Sequence, residues 1–523
     1  MNNLNNKMYT WFEVDGETFL YDARSNFFCE IEKSSLVILL NKEFRLEDCE
    51  FNDLQNKGVF FSGSLEKVTA DRGEINLFVD YYMDHVLPRK LILEVTEECN
   101  LRCKYCFNTI GNTPRVHSKQ KLSLESAQKG IDLYFKIYTE CFKRIPKHKQ
   151  MQYLKIAPPN ISWWGGEPLL NFDLICETKK YFLSLPWSDY GILDRFMVYS
   201  IATNLTVLPK EIMNFLVENN IYLFVSLDGG LKEHDLYRIK ENGKGSFKDV
   251  KKNLDCLLFN YPDYSKKHII IQAVYMEGHS LLESENSYFN SYLYDNGECK
   301  VLKINQYPQK TENVFISQQW INTLPSMKQR IERFKKGLEL LGDTSEEILS
   351  SFKKSASLLN EIQEVISFEK QLIFDNPNGC NTFSEFFSCP IGRDVIYLSA
   401  KGEYQICNKS DSSYKIGDSI SGISKQAVVE MLDMYLHTLE SKCKSCWAFR
   451  FCSICPANLM NNGKFYKPSE MECKYLRDVV KWKFYKLIIL IKTNALYDKI
   501  RKVISDINDY SFLDYSHSIF IKY

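Results

Sequence analysis

From residue 91 onward the chain alternates between short runs rich in β-branched and aromatic residues and longer stretches with apolar positions every three or four residues. The short runs, at 91–96, 160–164, 196–202, 222–227, 268–275 and 301–306, predict strands. The stretches between them, at 123–142, 171–185, 209–219, 247–259 and 284–295, predict amphipathic helices. Pro209 opens the third of these helices and Asn219-Asn220 closes it, as helix start and stop signals require. Consecutive strand–helix units of this kind predict an α/β fold built on a parallel sheet, a partial (β/α)6 barrel of the TIM type.

The flanking segments have other rhythms. Residues 9–70 read as short strands and a helix: Trp11–Val14 and Thr18–Tyr21 alternate around an Asp15-Gly16 turn, and a helix is expected to open near Ser34. Residues 316–375 read helical, with Thr344-Ser-Glu-Glu347 as a capping box. The segment 380–475 has little periodicity and is punctuated by Cys and Gly, so bound ligands rather than an apolar core are expected to fold it. From 475 to 523 one or two amphipathic helices are expected. The implied division is a small α+β domain at 1–85, the barrel at 86–315, a helical bridge at 316–379, a cysteine-rich domain at 380–475 and C-terminal helices at 476–523.

Charge and composition narrow the function classes. The chain has 523 residues with 66 basic against 66 acidic, so no electrostatic footprint for nucleic acid or an anionic membrane is expected. Residues 1–10 carry no apolar signal core, and the bare apolar run 487–491 is far too short to span a bilayer. A soluble cytoplasmic protein is the expectation. In that compartment 17 cysteines read as metal or redox ligands where they cluster, not as disulfides. Cys99, Cys103 and Cys106 form one cluster; Cys380, Cys389, Cys407, Cys443, Cys446, Cys452, Cys455 and Cys473 form another. The scattered Cys29, Cys49, Cys141, Cys176, Cys256 and Cys299 are expected to be small buried hydrophobes.

The triplet Cys99-x3-Cys103-x2-Cys106 directly follows the first barrel strand. Three close thiolates suit three irons of a cubane whose full complement is four cysteines, leaving one iron open. Zinc with a distant fourth ligand is the competing reading. With its aromatic follower Phe107, the triplet resembles the radical S-adenosylmethionine (SAM) enzymes, in which the open iron chelates SAM. There, one-electron reduction yields a 5′-deoxyadenosyl radical that abstracts hydrogen from substrate. Gly165-Gly166-Glu167-Pro168 is similar to that family's GGEP stretch, which contacts the SAM amino group. Thr203-Asn204 ends the third strand, and Ser226-Leu227-Asp228-Gly229 with His234-Asp235 and Arg238 resembles a further family stretch, the serine and arginine expected at the ribose and SAM carboxylate. The resemblance thus implies SAM contacts at Gly165, Gly166, Glu167, Asn204, Ser226, Asp228 and Arg238. All lie at C-terminal ends of successive strands, the rim where such barrels keep their chemistry. No catalytic acid or base is singled out.

The second cysteine cluster resembles the SPASM extension of the same superfamily, which carries two auxiliary 4Fe–4S clusters, making three clusters in all. The resemblance implies Cys380, Cys389, Cys407 and Cys455 for the first auxiliary cluster and Cys443, Cys446, Cys452 and Cys473 for the second. Two features depart from the pattern: Cys452 and Cys455 are separated by two residues instead of three, and Cys380 lies farther upstream of Cys389 than in sulfatase-maturing members. Without Cys380, the first auxiliary cluster would keep an open iron for a substrate thiolate. A pair of structural zinc sites in a non-enzymatic adaptor is the alternative.

Members with this extension mostly modify peptides or proteins. The formylglycine-forming branch has Asp directly after the cysteine equivalent to Cys407, where this chain has Asn408, a poor base. Sulfatase maturation therefore ranks below an oxidoreductase that cross-links a ribosomally made precursor peptide through a thioether or carbon–carbon bond; peptide epimerisation is the other alternative. The implied partners are a precursor peptide with a leader segment and a reductant such as flavodoxin or ferredoxin. Residues 9–61 have the size and order of a winged-helix-like element that captures a leader by strand addition, with 21–31 as its hairpin.

Overall fold

The computed structural model describes residues 8–23, 26–33, 71–106, 117–275, 293–295, 298–301, 303–308, 326–354, 356–370, 372, 390–410, 412–452 and 454–508. The expected helices near Ser34 and at 284–295, and the residues Cys380 and Cys389, lie outside or largely outside these. The first segment folds as an antiparallel meander of β1 (Tyr9–Val14), β2 (Glu17–Asp22) and β3 (Phe27–Ile31). Asp15 and Gly16 both take positive φ, 53° and 87°, which is the turn geometry a two-residue hairpin needs.

Six strands then lie side by side in chain order, all parallel: β4 (Lys90–Thr96), β5 (Asn160–Gly165), β6 (Val198–Thr203), β7 (Tyr222–Ser226), β8 (Ile269–Tyr275) and β9 (Lys303–Pro308). Their period of two sorts the side chains. Leu91, Leu93 and Val95, Ile161 and Trp163, Leu223 and Val225, Ile269 and Ile271 share one core with the covering helices, among them α1 (Leu124–Arg144), α2 (Phe172–Ser184), α3 (Lys210–Glu218) and α4 (Phe247–Asn260). The alternate positions face inward and include polar groups: Ser200 Oγ donates to Ser162 Oγ at 2.9 Å, and Lys90 Nζ stands 5.6 Å from the Phe224 ring centre.

The segment after 390 corrects the expectation that ligands alone would fold it. Strand β10 (Val395–Leu398) pairs parallel to β4 on the edge away from β5, with Val395 opposite Lys90. The sheet continues antiparallel through β11 (Glu403–Gln405), β12 (Lys415–Asp418) and β13 (Gly422–Ile423), ten strands in all. Arg89 and Asp394 form a two-point ion pair at the junction, and Ala400 N–H donates to the buried Glu94 carboxylate at 2.9 Å. Helix α5 (Lys425–Cys443) buries Val428, Val429, Met431, Leu432, Tyr435, Leu436 and Leu439, all in the barrel's own core. Strands of two to four residues are too short to display an alternation, which is why the sequence pattern hides them.

A second core joins the two ends of the chain. Phe12, Phe19, Tyr21 and Phe28 of the meander pack with Phe334, Ile362 and Phe368 of the bridge helices, and with Phe484, Leu487 and Ile488 of α6 (Glu470–Ile491). Phe12 stacks on Phe484 at 4.6 Å between ring centres, and Lys335 pairs with Asp15 at 2.7 Å. The expected capping box is present, with Glu347 N–H donating to Thr344 Oγ1 at 3.2 Å and Thr344 N–H to Glu347 at 3.0 Å. The C-terminal stretch is two helices, α6 and α7 (Ala495–Asn508). Among the described residues no helix is long and apolar enough to cross a membrane.

Candidate active site

The C-terminal edge of the parallel strands, the rim of the sheet, is organised around the turn that follows β5. Gly166 N–H donates to Thr96 O at 2.9 Å and Glu167 N–H to Glu98 O at 2.8 Å, so the end of β5 is stitched to the residues just ahead of Cys99. The approach leaves no room for a side chain. A Cβ on Gly165 would lie 2.2 Å from Thr96 O, and one on Gly166 would lie 2.3 Å from Glu98 O. Glu167 is turned inward and buried. Its carboxylate accepts from Thr203 Oγ1 and Asn204 N–H, both at 2.7 Å, and from Leu169 N–H at 3.1 Å. Burial pushes its pKa up to about 7, and the three donors oppose that rise. The carboxylate thus ties β5 to β6 within the protein.

Cys99, Cys103 and Cys106 occupy the loop leaving β4, each part-buried. The loop is pinned from the far side of the rim: Arg102 N–H donates to Ile239 O at 2.7 Å and Lys104 N–H to Tyr237 O at 2.9 Å. Leu101 N–H points at Cys99 Sγ at 3.4 Å, and Asn204 Nδ2 lies 3.8 Å from the same sulfur. Burial pushes the Cys99 thiol up to about 12 and Cys103 to about 11, and each is pushed further by its neighbouring thiols. Three enclosed thiols that repel one another as thiolates are poor company at neutral pH unless a cationic centre displaces their protons, so the donor set fits a metal cluster. Among the described residues no three His, Cys, Asp or Glu side chains converge tightly enough for a single ion. A four-iron cubane spreads its ligands over separate corners and makes no such demand.

Behind this loop, Asp228 is the hub of a buried network. Arg238 Nε donates to its Oδ2 at 2.7 Å and Nη2 to its Oδ1 at 3.2 Å; Val274 N–H donates to Oδ1 at 2.8 Å, and the Tyr105 hydroxyl donates to Oδ2. Burial disfavours the Arg238 cation, but the Asp228 carboxylate more than restores it. The guanidinium also lies beside the Cys103 thiol and 5.2 Å from the Tyr105 ring centre. Ser246 Oγ donates to Arg238 O at 2.7 Å, so it accepts from His234 Nε2 at 2.9 Å, and His234 Nδ1 faces Asp228 N–H at 3.4 Å. Burial and the Arg238 charge hold His234 down to about 3, a neutral ring with a fixed tautomer. Ser226 ends β7 on the same rim.

The later cysteines divide in two. Cys443, Cys446, Cys452 and Cys473 line one cavity of about 150 Å³, with Arg477 and Glu470 in its wall. Burial pushes all four thiols up, Cys452 to about 12. Cys407 and Cys455 neighbour each other elsewhere, the burial-raised Cys455 being raised further by Cys407. Cys380 and Cys389, expected beside Cys407 and Cys455, lie outside the described residues. Of the scattered cysteines that can be described, Cys141 is buried, whereas Cys29, Cys176 and Cys256 are only part-buried. Cys141 Sγ sits 2.6 Å from Arg393 Nη2, and Cys256 lies 3.7 Å from Met213 sulfur.

Sequence reasoning missed Tyr105, whose only signal is its place inside the triplet, and Arg477, four residues after Cys473.

Residues 93–272 match the Radical SAM superfamily. The chain is 30% identical over 169 residues to the cysteine-type anaerobic sulfatase-maturating enzyme of Clostridium novyi, covering 32% of this chain and 39% of that protein. It is 25% identical over 240 residues to the radical SAM cyclopropyl synthase TigE of Paramaledivibacter caminithermalis, covering 44% and 46%. The chain spans half or less of the length of the curated relatives it matches. In fold it is similar to the solved structure of tagged anSMEcpe with bound AdoMet, with a TM-score of 0.51 and 17% identity over 81% of this chain and all of that one.

Proposed function

From a chain whose residues 93–272 form a radical SAM domain, we infer a radical SAM enzyme of the maturase type that cross-links a ribosomally made precursor peptide. The observation that carries this reading is the placement of thiols. Cys99, Cys103 and Cys106 sit on one pinned loop at the barrel rim, and a further four thiols enclose a single cavity. When bound, a 4Fe–4S cluster with SAM at the first site supplies a hydrogen-abstracting radical. The later thiols are assigned to two auxiliary clusters, Cys380, Cys389, Cys407 and Cys455 to one and Cys443, Cys446, Cys452 and Cys473 to the other.

The chain's own residues do the positioning. Gly165 and Gly166 bring the β5 turn against Thr96 and Glu98, which fixes the base of the cysteine loop. Asn204 and Arg238 present donors beside Cys99 and Cys103. A Gly166→Ala variant, by forcing Glu98 aside, is expected to lower SAM cleavage on the order of 100-fold, the usual effect of a misplacement of about 1 Å. 5′-Deoxyadenosine yield measures this, and unchanged yield would show that the turn does not position the loop.

Asn408 favours peptide cross-linking over formylglycine formation. It is buried, with its Oδ1 3.3 Å from Cys407 Sγ, and an amide has no basic oxygen to take a substrate proton as a carboxylate does. Strands β1 and β3 are the ends of the N-terminal sheet order, the positions at which a leader peptide would add a strand. Anaerobic co-expression with short reading frames of the same locus, with flavodoxin or ferredoxin as reductant, tests the reading by peptide mass. Loss of two hydrogens per event is expected. An unchanged mass with deuterium at an α-carbon would indicate an epimerase, and formylglycine in a sulfatase peptide would replace the cross-linking reading.

A further inference from the structure

Two of the described thiol sites each have one arginine, clamped by a carboxylate and laid against one sulfur. At the rim the pair is Arg238–Asp228 beside Cys103, both side chains enclosed. In the cavity of Cys443, Cys446, Cys452 and Cys473 it is Arg477–Glu470. Arg477 Nη2 donates to Glu470 Oε1 at 2.5 Å, and the guanidinium lies against Cys446 and near Cys473. Cys473 and Arg477 are four residues apart on α6, so both project from one face into the cavity. The Arg477 side chain is 15% accessible and that of Glu470 65%, which places the cation inside and its counter-charge outside. Two other cations approach the same thiols, neither with its head group laid on a sulfur: Lys442, in the same cavity wall, donates Nζ to Pro468 O at 2.6 Å, and Lys483 lies 3.8 Å from Glu364.

We propose that Arg477 sets the reduction potential of the iron–sulfur cluster held by Cys443, Cys446, Cys452 and Cys473, raising it, and that Glu470 moderates the effect. The proposal rests on the cluster reading given above. The half-reaction is the gain of one electron by the oxidised cluster, with no bond made or broken. That electron adds negative charge shared with the ligand sulfurs. A guanidinium held beside those sulfurs therefore stabilises the reduced state more than the oxidised one. The carboxylate of Glu470 works against this from the solvent side, more weakly because water screens it.

The test uses full-length, iron-loaded protein carrying Ala at Cys99, Cys103 and Cys106, so that the rim site does not contribute. Dithionite titration with redox mediators, followed by electron paramagnetic resonance, reads the remaining clusters. Arg477→Gln is expected to make one of them harder to reduce, changing its reduced-to-oxidised ratio at fixed potential about tenfold, or about 59 mV for one electron. Arg477→Lys should recover most of that shift. Glu470→Gln should move the same cluster in the opposite direction by a few-fold. Potentials that match the parent in both Gln variants would overturn the proposal. If Arg477→Gln fails to load iron, Glu470→Gln at its exposed position still decides, and an unchanged or lowered potential there is the overturning result. A parent protein holding zinc without iron and labile sulfide would instead overturn the cluster reading itself, and this proposal with it.

Discussion

Replacing Cys99, Cys103 and Cys106 together with alanine is expected to reduce 5′-deoxyadenosine formation to background while leaving the protein folded and still coloured. The reasons lie in how the three thiols are held. Their loop is fixed by backbone hydrogen bonds from Arg102 and Lys104 to the 237–239 segment, and by the β5 turn, none of which uses a cysteine sulfur. The barrel core beneath is apolar and does not include the three side chains. Loss of the thiols therefore removes the proposed cluster ligands without removing the scaffold. If three four-iron clusters are carried, bound iron should fall by about a third, with the later cysteines still loaded. Iron and sulfide analysis beside product chromatography measures both quantities. Continued 5′-deoxyadenosine formation would show that the radical chemistry is seated elsewhere.

The second large effect is on stability. Asp228→Ala is expected to cost about 3–5 kcal/mol, because it leaves the enclosed Arg238 cation without its counter-charge. It also removes the acceptor for Val274 N–H, at 2.8 Å, and for the Tyr105 hydroxyl. These losses share one network and will not add. The exposed pair Arg102–Glu241, at 3.1 Å, provides the contrast: Glu241→Ala should cost less than about 1 kcal/mol. Urea unfolding followed by tryptophan fluorescence, to which the β5 residues Trp163 and Trp164 contribute, compares them. Equal midpoints for the two variants would refute the hub role of Asp228.

Much of the parallel sheet was legible because its signals are local. Strands such as Leu91–Val95 are short, mostly apolar runs separated by helices with one apolar stripe, and each describes itself within ten or twenty residues. Gly165 and Gly166 were legible for a related reason, since two adjacent glycines at a strand end point to a close backbone approach. What stayed hidden depends on distant partners. Strand β10 is four residues long and makes sense only beside β4, some 300 positions earlier. The meander shares a core with helices from the other end of the chain, and no periodicity announces such a partnership. Glu167 shows the same limit at a single residue. Its donors Thr203, Asn204 and Leu169 come from the end of β6 and the turn after β5, and no local pattern in the sequence names them. Arg238 likewise has its partner chosen by the turn that brings Asp228 to it.

Helix α6 has one further consequence. Its first turns deliver Cys473 and Arg477 to the thiol cavity, while Phe484, Leu487 and Ile488 farther along grip the N-terminal meander. Its 22 residues make a stiff rod of about 33 Å. The protein's opening hairpin and the cavity lined by its last cysteines are thereby joined by a single rigid element, so a substitution that shifts one end of α6 is expected to be felt at the other.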